Sequence, residues 1–131
     1  MMKPTETAAI ALGVIVIVEV IAGLLTVGGP LTGRAERRDD QRRDDIRDIS
    51  ENIRCLTRVA GGTIPDQPRI TDRCPEVFPA SDPFSGEPYE YEKLSMIAYR
   101  ICATFETATI DQWYNYQSAG EGRHCLHVEI D

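Results

Sequence analysis

The residues best suited to chemistry lie near the C-terminus, in the run His124-Cys125-Leu126-His127, with Cys102 upstream. Imidazole and thiol are the donors a zinc ion takes. In an extended strand, however, His124 points opposite to Cys125 and His127, and no Cys-x-x-Cys pair supplements them, so no metal site is expected. The Cys-x-x-Cys-His signature of attached haem is absent. So are the Gly-x-Ser-x-Gly elbow, the phosphate-binding loop and the paired-histidine zinc motif. Glu106, Asp111 and Glu121 are scattered acids that read as solvated. No catalytic residue and no cofactor is expected, and a membrane-tethered enzyme using His127 or Asp111 is the distant alternative. The tyrosines and Trp113 around "DQWYNYQS" read equally as a recognition surface and as a cap on a thin core. The remaining chemistry is that of four cysteines, Cys55, Cys74, Cys102 and Cys125, an even number in a short polar region, which fits disulfides in an oxidising compartment.

The elements that would carry these groups follow from an uneven chain of 131 residues. After a short tail (1–7), residues 8–28 form an apolar run that suits one helical bilayer crossing. A cleaved secretory signal is the competing reading, but the run is long, Lys3 is the lone basic residue before it, and no small-x-small site follows. Glu19 sits near its middle, and Ala22, Gly23 and Thr26 share its helical face. A carboxyl group in hydrocarbon is costly and usually finds a partner, while small residues let a second helix approach, so this face is expected to dock an integral-membrane protein. The bland alternative is a protonated Glu19 facing lipid.

Residues 29–33 form a Gly/Pro hinge, and the soluble domain covers 34–131. Between Arg34 and Arg58 stand eight arginines and seven acids, with Ile46, Ile49, Ile53 and Leu56 recurring as one apolar stripe. The interleaved charges nearly cancel, which argues for a solvated helix face and against nucleic-acid binding. The expected ion pairs are Asp39 with Arg43 and Arg47 with Glu51. Residues 63–88 carry six of the eight prolines and read as an ordered loop. Then "YEYEK", "MIAYRICATFE" and "RHCLHVEI" read as three antiparallel strands. Ile97, Tyr99, Ile101, Ala103 and Phe105 share one face of the second, and Leu126, Val128 and Ile130 one face of the third. A single amphipathic helix packed on this small sheet makes an α+β fold.

Three cysteine pairings are possible. Cys102 and Cys125 both lie on the strand faces turned away from the helix, so a bond between them is feasible. Cys55 stands in the last turn of the helix, and Cys74 in the loop that must fold back over it. The expected pairs are therefore Cys55–Cys74 and Cys102–Cys125. The alternative is four reduced thiols in a cytoplasmic domain.

The order of parts resembles type IV pilins and pseudopilins. "RRDDIRDISENIRCLTRVAGGTIP" is similar to a pilin helix running to a Gly-x-x-Pro end, and "DPFSGEPYEY" to the pilin Asp-Pro-x-x-Gly-x-Pro-Tyr turn and strand. Gly13 is followed by Val14 where pilins carry phenylalanine at the cleavage site, and Glu19 stands one place late, so an uncleaved anchor is expected. The resemblance implies a domain outside the cytoplasm, as the cysteines do, whereas the arginines after the anchor pull the other way. The resulting expectation is a non-enzymatic, single-pass protein of a bacterial inner membrane with a periplasmic C-terminal domain. Its membrane lipid and integral-membrane partners are contacted through the anchor, as an accessory subunit of a larger complex. A pseudopilin or minor pilin is the alternative.

Overall fold

The computed structural model describes residues 3–107 and 115–131. The chain divides into two compact units, Met1–Arg34 and Ala35–Asp131. Within the first, helix α1 (Pro4–Val27) begins with proline at its first helical position, where the missing N–H costs nothing. Glu6 accepts from the Lys3 backbone N–H. At 24 residues α1 is about 36 Å long, enough for a hydrocarbon layer of about 30 Å. It starts inside the expected tail. Gly28 and Gly29 alone interrupt the helical backbone, because Pro30 opens helix α2 (Pro30–Val59) and takes residues 30–33 with it.

In the second unit, α2 buries Ile46, Ile49, Ile53 and Leu56, the expected stripe. Each such side chain removed from water contributes about 1.5–3 kcal/mol. The helix ends where Gly61 adopts a φ of 73°, a conformation costly for residues with a Cβ, and the Gly62 N–H donates back to the Thr57 carbonyl at 2.8 Å.

The sheet has four antiparallel strands in the order β1-β2-β4-β3: β1 (Glu90–Lys93), β2 (Ala98–Thr104), β3 (Tyr116–Gly120) and β4 (Arg123–Glu129). Three match the expected strands. The fourth, β3, has the sequence "YQSAG", which carries no alternating apolar pattern, and it forms by pairing with the open edge of β4. Tyr99, Ile101, Ala103 and Phe105 form the core with the helix stripe and Ile64. Leu126, Val128 and Ile130 pack against that core while remaining partly exposed. Ile97 departs from expectation and is 52% exposed, because it precedes the paired part of β2 in the β1–β2 turn.

Cys102 stands directly opposite Cys125 in the β2–β4 register, and the two are joined, as are Cys55 and Cys74. Residues 63–88 are an ordered loop fastened to α2 at successive points. The Asn52 amide both donates to the Arg69 carbonyl at 3.0 Å and accepts the Arg69 N–H at 3.1 Å. The Cys55–Cys74 bond lies beside this clamp in sequence, and Asp82 and Tyr89 bind further back along the helix. The loop's early residues also meet β1: Tyr91 donates to the Pro65 carbonyl at 2.6 Å and Lys93 to that of Ile64 at 2.8 Å.

Candidate functional site

Two sites answer to the sequence, one in each unit. On α1, Glu19, Ala22, Gly23 and Thr26 lie at the spacing of one helical face, and all four are exposed, as is every residue of that helix. The Thr26 hydroxyl donates to the Gly23 carbonyl at 2.9 Å, so it is satisfied within its own helix and adds no polar cost to an apolar contact. A Cβ added at Gly23 would meet nothing within 4 Å. The small side chains therefore leave space that this chain itself does not fill. The helix is long and apolar enough to cross a membrane, and none of its most apolar stretch is buried.

In the second unit, the charged helix is not simply a solvated face. Arg42 is buried, and its guanidinium binds three carboxylates at once. Nε donates to Asp82 at 2.6 Å, and Nη1 donates to Asp39 at 2.8 Å and to Glu106 at 2.7 Å. The guanidinium also lies 5.5 Å from the centre of the Phe84 ring. Asp39 is fully buried and completes its shell with the Glu106 N–H at 2.9 Å, the Thr107 N–H at 2.8 Å and the Thr107 hydroxyl at 2.7 Å. Glu106, expected to be solvated, is exposed but also paired with Arg38 at 2.7 Å. The expected pairing of Asp39 with Arg43 is replaced. Asp39 turns to Arg42 while Arg43 pairs with Asp40, and Arg47 pairs with Asp44 rather than Glu51. The reason is tertiary: Arg38, Asp39 and Arg42 face the returning chain at 82 and 106.

The same arrangement explains "DPFSGEPYEY". Asp82 caps its own turn, accepting the Phe84 N–H at 2.8 Å and the Ser85 hydroxyl at 2.9 Å, and offers the remaining capacity to Arg42. Four residues after the turn's last serine, the Tyr89 hydroxyl donates to Asp45 at 2.6 Å. The motif is thus a two-point dock onto α2 that sets the approach to β1.

The electrostatics follow. Hydrogen bonding to Arg38 pulls the Glu106 carboxyl down to about 2, against the opposing effect of burial and with help from Arg42. Burial pushes the Asp82 carboxyl up, but the Phe84 N–H, Arg42 and Ser85 together outweigh it and hold it below the usual range. Burial and the bond to Asp45 push the Tyr89 hydroxyl well above its ordinary value. Every group is paired and held in its charged or donor form, which is what a structural joint requires.

The other candidate groups are dispersed. Cys102 and Cys125, considered as metal ligands, are joined to each other. His124 is buried on the Phe105 side of β4, and His127 alternates to the other face. Glu121 is exposed in the β3–β4 turn. Asp111 and Trp113 lie outside the described residues. Among the described residues no group of three or more histidines, cysteines or acids is placed to hold a metal ion. The buried Arg42 cluster escapes sequence reasoning, because Asp82 and Glu106 lie forty and sixty-four residues away. No family model matches the chain, and neither a curated protein nor a solved structure matches it.

Proposed function

We propose that the chain is a non-enzymatic, single-pass membrane protein that acts as a structural or accessory subunit of a larger bacterial membrane complex, such as a respiratory or photosynthetic assembly. The observation that carries this reading is α1, which leaves Glu19 and the small residues Ala22, Gly23 and Thr26 uncovered on one face. A carboxyl group and close-packing residues side by side suit a helix–helix contact inside the bilayer. The conspicuous polar cluster of the second unit is internally paired, as a structural joint is. Both disulfides favour an oxidising compartment, hence the periplasmic side of an inner membrane. A helix packed on an antiparallel sheet through a proline-rich loop supports the pilin-like reading of the domain. The same build favours the second reading, a pseudopilin or minor pilin of a secretion or pilus-like system, which differs by requiring processing before Val14.

Gentle detergent purification followed by mass spectrometry separates the two. The expected result is a chain retaining residues before Val14 and recovered with an integral-membrane protein in fixed ratio. Gly23→Leu, whose added Cβ meets nothing within 4 Å, should lower that recovery severalfold without reducing membrane insertion. Unchanged recovery would refute the docking face, and an N-terminus at Val14 would select the pilin reading.

A further inference from the structure

Partly buried side chains flank the core on both sides: Phe78, Tyr89 and Tyr91 beside β1, and Tyr116, Leu126, Val128 and Ile130 beside β4. On the β4 side a groove runs between them and α2. Two adjoining clefts make up the groove and share Arg54, Val128 and Glu129.

The helix side of this groove carries Arg43, Arg47, Arg54 and Arg58. Their spacings of about four, seven and four residues place them on one helical stripe, which therefore spans about 22 Å. In a chain of net charge −7 this is a concentrated line of positive charge beside an apolar floor. Two of these arginines already have acid neighbours. Arg43 pairs with Asp40 at 2.9 Å and Arg47 with Asp44 at 3.6 Å. Arg47 and Asp44 are exposed, and such a pair contributes only about 0–1 kcal/mol, so exchanging it for another carboxylate costs little, whereas Arg43 is half-buried. The contrast with Arg42 is direct: its guanidinium is buried and committed to three carboxylates.

We infer that this groove is a docking site for an extended segment of a partner protein in which apolar and acidic side chains alternate. In an extended segment successive side chains point to opposite sides, so apolar residues would lie on the Leu126–Val128–Ile130 floor while carboxylates rise toward the arginine rim. At about 3.3 Å per residue, roughly seven residues match the length of the stripe. The arginine stems add apolar cover of their own. Charge complementarity selects the acidic partner, and the apolar floor selects against a purely charged one. Nucleic acid is disfavoured because an unbroken line of phosphates would leave the apolar Leu126–Val128–Ile130 floor unfilled. This inference concerns the soluble unit alone and stands whether or not the α1 face finds a helix.

The test uses the full chain in nanodiscs of zwitterionic lipid and a labelled seven-residue peptide alternating Leu and Glu, read by fluorescence anisotropy against empty nanodiscs. Two control peptides replace Leu by Ser or Glu by Lys. The expected result is binding at least tenfold tighter than to either control, and at least tenfold weaker in R47E and in R54E, whose circular dichroism should match the parent. Both positions are exposed, so neither reversal threatens the fold. Binding indifferent to both reversals overturns the proposal, as does equal binding of the Ser-substituted peptide. Two further outcomes would assign the groove elsewhere and also overturn it. One is self-association in sedimentation that R54E abolishes, marking a second copy as occupant. The other is R54E-sensitive binding to phosphatidylglycerol vesicles without peptide binding, marking an anionic lipid surface.

Discussion

Replacing Arg42 by Ala is the sharpest test of the polar joint. The substitution leaves Asp39 and Asp82, whose side chains are 1% and 5% exposed, without their countercharge. Removing one partner of a buried ion pair typically costs about 3–5 kcal/mol, because the orphaned charge stays desolvated. Asp39 and Asp82 each retain hydrogen bonds from backbone and hydroxyl donors, which favours the lower part of that range. Arg38→Ala is the internal control. Arg38 binds Glu106 through Nε and Nη2, but both side chains are more than a third exposed, so its loss should cost much less than that of Arg42. Both variants remove a positive charge from Glu106, but Arg42→Ala also strips the buried Asp39 and Asp82. Urea unfolding of the full chain in detergent, followed by near-ultraviolet circular dichroism with the disulfides intact, compares them. The gap between Arg42→Ala and the parent should also shrink at low pH, where the carboxylates are protonated and no longer need the guanidinium. A cost for Arg42→Ala equal to that for Arg38→Ala would refute the claim that the joint is a buried one.

The depressed carboxyl groups set the acid limit of the domain. Glu106 is held at about 2 and Asp82 below its usual range, so their contribution is complete above the ordinary carboxyl range and is lost as pH falls toward 2. Glu106→Gln should flatten the fall in unfolding midpoint between about pH 4.5 and 2, measured by urea titration across that window. Gly122→Ala should destabilise the domain by about 1–2 kcal/mol. Gly122 sits at a φ of 66°, and an added Cβ would stand 3.0 Å from the Phe105 carbonyl oxygen, so a lowered thermal midpoint with unchanged secondary structure is expected. Non-reducing peptide mapping after thiol blocking should yield Cys55–Cys74 and Cys102–Cys125 peptides and no alkylated cysteine. Replacing the second pair by Ala should cost about 3 kcal/mol on the chain-entropy account, in denaturant unfolding.

Much of this protein is legible locally, because the informative patterns have short periods. The run of apolar residues that becomes α1 needs no partner to be recognised, and the isoleucines at 46, 49 and 53 with Leu56 mark a buried stripe by spacing alone. Strand alternation placed Cys102 and Cys125 on the same face before any register was known, and the register then set them opposite each other. Other features have no local signal. Strand β3 is made of small and polar residues and exists because β4 offers an edge to pair with. Mixed charges along α2 look alike in sequence whether they meet water or a folded loop. Arg42 differs from Arg43 only in the side of the helix it takes, yet one is committed to Asp82 and Glu106, forty and sixty-four residues away, while the other pairs with the neighbouring Asp40. Periodicity determines which face of a helix is apolar. Which of its charges are desolvated is decided only when the distant chain folds back to supply their partners.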